Sequence, residues 1–152
     1  MSACTIRDMR ASDLGEVHGL LVQLERRFES GHPLSAAQTA EIFAAMQSRP
    51  DCYVNRVAEA EGRVVGFISA VLYKSFFHAG GTALINELVV DQGRRGRGIG
   101  GLLVREVRRL AQALGMNELE VGTSPGNAEA ITFYRAQGLS DESLVFGVEL
   151  RK

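Results

Sequence analysis

The sequence has almost no net charge, no apolar run long enough to cross a bilayer, only two cysteines and no internal repeat. Seventeen basic residues stand against 18 acidic ones, a formal net charge of −1. That balance supplies no global field to draw nucleic acid or an anionic membrane surface. Spanning a bilayer takes ~18 consecutive apolar residues, and no stretch comes near that. The opening segment, MSACTIRDMRASD, is charged and lacks an apolar core, so it does not read as a signal peptide. Cys4 and Cys52 lack metal-ligand spacing. No metal is expected, and reduced thiols in a cytoplasmic protein are the plain reading. With no linker or low-complexity segment either, the expectation is one domain over residues 1–152 with a sizeable core.

What is present is a run of well-punctuated elements. CTIRDMR alternates and reads as a strand. SDLGEVHGLLVQLERRF carries Leu14, Val17, Leu21, Leu24 and Phe28 at helical spacing, with Ser12 or Asp13 as cap. The SGHP stretch, Ser30 to Pro33, breaks it. Ser35 and Gln38 form a capping box for a second helix, through Gln47. CYVNRVAE and RVVGFISAVLY flank a hairpin turn at Gly62. TALINELVV is a further strand. Ile99, Leu102, Leu103, Val107, Leu110 and Leu114 mark one helical stripe, closed by Gly115. ELEVGT reads as a strand, NAEAITFYRAQ as a short helix and LVFGVEL as a last strand. The strand at 83–90, the helix at 99–114 and the strand at 118–123 form a β-α-β unit, so those two strands should be parallel.

The composition least suited to a helix stands directly before one. DQGRRGRGIGG, residues 91–101, holds five glycines and three arginines. A helix N-terminus exposes unpaired N–H groups and about half a positive charge. Glycines let a bulky anion approach the backbone, and arginines add fork-shaped donors. The stretch reads as a phosphate cradle. Two nucleotide motifs fail on spacing. A P-loop needs Gly-Lys-Ser/Thr, whereas Gly100 is followed by Gly101 and Leu102. A Rossmann turn needs G-x-G-x-x-G, whereas only Gly96-x-Gly98-x-Gly100 is present.

The spacing that fits is Arg95-x-x-Gly98-x-Gly100. Here the chain resembles the GNAT superfamily of acyl-CoA-dependent N-acyltransferases, whose pyrophosphate signature is Gln/Arg-x-x-Gly-x-Gly/Ala. NAEAITFYRAQGL is similar to a second family segment, departing only at Leu139, where the family has Phe. The resemblance covers essentially the whole chain. It implies a single-domain α/β fold of α+β type: a twisted mixed sheet flanked by about four helices, with the fourth and fifth strands parallel and splayed. The C-terminus is short for the family. Part of the acceptor wall is therefore either missing or supplied by a partner chain, which keeps a homodimer open.

The resemblance implies acetyl-CoA as the acyl donor and a primary amine of a small molecule or peptide as the acceptor, with no nucleic-acid or membrane partner. The amides of Arg95, Gly96, Arg97, Gly98, Ile99, Gly100 and Gly101 would hold pyrophosphate. The backbones of Leu88, Val89 and Val90 would bind the pantetheine arm as an added strand, and Val89 N–H would face the developing oxyanion. Tyr134 matches the family's general acid. It shares a helix face with Asn127, Ala130 and Ile131, although Asn127 also suits a helix cap and Tyr134 a core position. Phe133 reads as core. Glu87 is the candidate base. Several members that use a strand-four carboxylate place it three residues earlier, where this chain has Leu84, so a surface or structural glutamate is the alternative, though a bulge in the strand could change its facing. Asn86 on that strand and His78 in the SFFHAGG loop are further candidates for acceptor contact, and a water chain without a dedicated base would also serve. Glu25, Glu29 and Glu41 on the first two helices hint at a cationic acceptor. A non-catalytic acyl-CoA sensor is the competing class. An arginine-rich nucleic-acid binder is the third, its basic cluster confined to residues 94–109.

Overall fold

The computed structural model describes residues 3–28 and 33–150. The described elements run β1 (Thr5–Asp8), α1 (Leu14–Glu25), α2 (Ala36–Gln47), β2 (Tyr53–Ala60), β3 (Arg63–Tyr73), β4 (Thr82–Val90), α3 (Ile99–Ala113), β5 (Glu118–Val121) and α4 (Ala128–Ala136). The strands form one sheet in the order β1-β2-β3-β4-β5. The first three pairings are antiparallel and β4–β5 is parallel, as the β-α-β reading predicts. Glu61 (φ 54°) and Gly62 (φ 72°) make the tight β2–β3 turn. Two successive positive φ values match the twist of a hairpin.

Each sheet face has its own core. On one, Ile68, Ala70, Ala83 and Ile85 pack under Ile99, Leu103, Val104, Val107 and Ala111 of α3. A methyl group on Gly66 would lie 3.1 Å from Leu103 and 3.2 Å from Ile99, so α3 sits as close to β3 as a missing side chain allows. On the other face, Val57, Val64, Phe67 and Val89 meet Val17 and Leu20 of α1 and Phe43 of α2. The predicted capping box forms: Ser35 Oγ accepts from Gln38 N at 3.1 Å, and Gln38 answers to Ser35 N at 2.9 Å.

Several details depart from the expectations. Asp13 stands at the α1 N-cap but makes no cap hydrogen bond. Its buried carboxylate instead receives Arg7 at 2.8 and 2.9 Å and Arg10 N at 2.7 Å. A charge-assisted fork outcompetes a cap. Helix α1 ends at Glu25 rather than Phe28, and of the break after it Ser30, Gly31 and His32 lie outside the described residues. Leu114 is the helix cap and is exposed rather than part of the stripe.

The clearest correction concerns the last strand. Residues 139–150 form no helix or strand, and Leu144, Val145, Phe146, Val148 and Leu150 are 79–90% exposed. Alternation shows that one face of a segment wants burial, but it does not say against what.

Candidate active site

Three features converge around the end of β4. The first is the cradle. Gln23 of α1 pins its start, donating to Asp91 at 3.0 Å and accepting from Gln92 N at 3.0 Å. Arg95 Nε donates to the Val90 carbonyl at 3.1 Å, folding the loop back beneath the strand. Arg94 is held by Glu61. Gly96 (φ 74°) and Gly98 (φ 79°) adopt left-handed backbone that suits glycine. Gly98 caps α3 with no side chain over the helix end, and no atom lies within 4 Å of where its Cβ would be. The first-turn amides of α3 are thus left without a side-chain cap, and their dipole is unopposed by one. That geometry fits a diphosphate.

The second feature is the splay. β4 pairs with β5 only from Thr82 to Ile85, opposite Glu118 to Val121. Beyond Ile85 that edge of β4 is open. Asp91 N bonds to Val65 O at 2.8 Å, which fixes the alternation of the antiparallel β3–β4 ladder. Val89, opposite Phe67, then spends its N–H and C=O on β3, while Leu88 and Val90 turn theirs to the open edge. Val89 was expected to present a free N–H there. The ladder assigns that place to Leu88 and Val90 instead.

The third feature is a bulge. Ser69 lies opposite Glu87 and Ala70 opposite Ile85, leaving Asn86 as an extra residue on β4. The bulge breaks the period of two. Ile85 and Leu88, three apart, both pack on the α3 side, whereas Glu87 is turned to the α1–α2 side. There it accepts a hydrogen bond from Ser69 Oγ. Asn86 and Glu87 both line a cavity of about 310 Å³ between the sheet and the two N-terminal helices, and Leu84 does not.

Other candidates fall on both sides of the outcome. Glu25 lines the cavity and Glu41 does not; Glu29 lies outside the described residues. His78 pairs with Glu118 of β5, away from the cavity. Asn127 caps α4, its side chain accepting from Ala130 N at 3.1 Å. Phe133 reaches Gly100, where an added methyl would come within 3.2 Å, so it docks α4 against the start of α3. Tyr134 stacks edge-on with Phe133, 5.2 Å between centroids. Burial pushes its phenol up to about 12, so it is a neutral donor at ordinary pH.

His18 also lines the cavity, and the sequence reading missed it. Its Nδ1 lies 3.3 Å from Thr39 Oγ1, whose hydroxyl donates to Ser35 O at 3.1 Å. With that hydrogen spent, Thr39 accepts, and the imidazole carries its proton on Nδ1.

This arrangement has close counterparts. The chain is 28% identical over 144 residues to an uncharacterized N-acetyltransferase of Methanocaldococcus jannaschii, covering 94% of this chain but only 63% of that relative. It is 28% identical over 146 residues to the aminoalkylphosphonate N-acetyltransferase of Salmonella typhimurium, covering 96% and 91% of the two chains. The glucosamine-6-phosphate N-acetyltransferase of Arabidopsis thaliana shares the fold, with a TM-score of 0.82 at 24% identity over 98% of this chain and 99% of that one. The model of the acetyltransferase (GNAT) family matches residues 14–139. The chain belongs to the GNAT acetyltransferase family and is an acyltransferase whose acyl donor is acetyl-CoA.

Proposed function

We propose that residues 1–152 form one N-acetyltransferase domain that moves an acetyl group from acetyl-CoA to a primary amine by direct attack. The observation that carries this reading is the bulge at Asn86. It turns Glu87 into the cavity, one residue from the open backbone edge of Leu88. The uncapped amides of residues 98–101 hold the pyrophosphate, with Arg95 and Arg97 beside them. Leu88 and Val90 receive the pantetheine amides along the open edge. Leu88 N–H stabilises the charge that grows on the thioester oxygen. An amine with a pKa near ~10.4 is mostly protonated at neutral pH; Glu87 takes its proton, directly or through one water. Tyr134 donates a hydrogen bond to the departing thiolate, and Asn127 keeps its amide N–H₂ for the donor. The test is thiol release from acetyl-CoA against a panel of amines. Acetyl-CoA binding without amine-dependent thiol release would mark the chain as a sensor module instead.

Two further parts of the reading rest on exposed groups. Leu144, Phe146, Val148 and Leu150 would share one face of a strand, and the outer edge of β5 is unpaired in the five-stranded sheet. One chain therefore offers both a strand and an edge to take it, which supports a homodimer that exchanges residues 144–150. Light scattering should give twice the 16.5 kDa chain mass, and a monomer at micromolar concentration refutes it. Cys4 and Cys52, both free, fit a reducing cytoplasm. No described helix is long and apolar enough to cross a membrane.

A further inference from the structure

The cavity that receives the amine is two-sided. Its sheet side is largely polar: Asn55 from β2, Ser69 from β3, and Asn86 and Glu87 from β4. Its helix side is mostly apolar, with Leu21, Leu24 and Phe28 from the first helical segment and Ile42, Phe43 and Met46 from α2. Pro33 and Leu34 close the rim. Among the described residues no lysine or arginine lines it, and its carboxylates are Glu25 and Glu87.

From this we infer, building on the acetyltransferase reading above, that the acceptor is a small primary amine with an apolar body and no anionic group. The ammonium would sit on the polar floor at Glu87, and an aryl or alkyl body would lie against α1 and α2. Size agrees. The cavity, about 310 Å³, has room for a small amine carrying one aromatic or alkyl body. Charge agrees as well. A phosphonate, phosphate or carboxylate entering this space would give up part of its hydration and meet two carboxylates but no lysine or arginine among the described residues, a cost that disfavours it. A polyamine sugar would place hydroxyls and further ammonium groups against leucine, isoleucine and phenylalanine. The chain therefore differs in acceptor from relatives whose names include a phosphonate, a sugar phosphate or an aminoglycoside.

The test measures kcat/KM by thiol release from acetyl-CoA with 2-phenylethylamine, 2-aminoethylphosphonate and the aminoglycoside neamine. Burial of one aromatic ring predicts a preference for 2-phenylethylamine of at least about 10-fold over each of the others. Equal or better turnover of either polar amine overturns the acceptor class and leaves the acetyltransferase standing. Absence of thiol release with all three, while calorimetry shows acetyl-CoA bound, overturns both. A variant separates the helix wall from the floor. Ile42 is 41% exposed yet lines the cavity, so Ile42→Asp should fold normally. It should raise KM for 2-phenylethylamine at least about 10-fold with KM for acetyl-CoA and Tm unchanged. An unchanged KM for the amine would remove α2 from the acceptor wall.

Discussion

Glu87→Gln isolates the carboxylate from its surroundings. Glutamine keeps the shape and can still accept from Ser69 Oγ, so the bulge and the pairing of Ser69 with Glu87 should survive. What is lost is one negative charge facing a cationic amine. A pair of unit charges ~4 Å apart is worth about 4 kcal/mol at an effective dielectric constant near 20, or roughly 10³-fold. General-base help is worth ~10²- to 10⁴-fold by itself. Glu87 is half-buried rather than sealed, so water relieves part of both effects. The expected loss in kcat/KM for the amine is therefore about 10²- to 10³-fold at pH 7, with KM for acetyl-CoA unchanged. The pH dependence is the sharper part. An alkylamine loses its own proton near pH ~10.4, and a base is then no longer needed. The deficit should shrink steadily between pH 7 and pH 10. Equal activity at pH 7 would refute the assignment. A deficit constant to pH 10 would make Glu87 a positioning group and leave deprotonation to water or to Nε2 of His18.

Three other outcomes follow from named contacts. Gly98→Asp meets no steric obstacle in the free chain, but it puts a β-carbon on left-handed backbone and a charge beside the pyrophosphate, so CoA affinity should fall by at least ~2 kcal/mol; calorimetry of the folded variant giving wild-type affinity rejects the cradle. Tyr134→Phe should lower kcat ~10- to 100-fold, about 1.4 to 2.7 kcal/mol, and because burial holds the phenol up to about 12 the deficit should be flat from pH 6 to 10; a loss confined to KM makes it a cofactor contact. Asp13→Asn should cost ~2 to 3 kcal/mol in urea melts, the lower end because Arg7 keeps Glu59 at 2.7 Å. The Arg7 fork holds the Asp13 carboxyl below the usual range against the opposing pull of burial. Its stabilisation is present above the unfolded value near ~3.9 and is lost as pH falls through the lowered folded one. The variant's stability should vary less with pH on that acid limb, and an unchanged slope would mean the pair contributes nothing.

The conformation of the glycine loop was legible because it is largely local. Its backbone, from Asp91 to Gly101, spans eleven residues whose glycines and arginines state their own needs, with Gln23, Glu61 and Phe133 bracing it from elsewhere. The β-α-β order and the capping box at Ser35 were legible for the same reason. The final strand was misread because LVFGVEL records only that one face wants cover; no signal within the segment says whether its own sheet supplies it. The position of the bulge was invisible for a different reason. TALINELVV shows β-rich composition throughout, and nothing in it marks Asn86 as the residue that slips out of register. Only the pairing with β3 decides that, and with it whether Glu87 faces α3 or the cavity. His18 was missed because its meaning depends on Thr39, 21 residues away on another helix.

The two halves of the site therefore differ in how the chain encodes them. The pyrophosphate part of the proposed donor half is one short segment, Asp91 to Gly101. The acceptor half is assembled from positions scattered between Met9 and Glu87, on two helices and three strands. Several of these, such as Leu34 and Ile42, are nearly half-exposed and take no part in the buried cores. Substitutions there cost little stability, since surface changes away from packed features are usually within ±0.5 kcal/mol. The exposed part of the proposed acceptor wall can thus be rewritten one residue at a time, whereas Met9, Val17, Phe43 and Phe67 line the cavity and also belong to the core. On the proposed reading, an eleven-residue motif points to the acyl donor, while the amine has to be argued from the cavity.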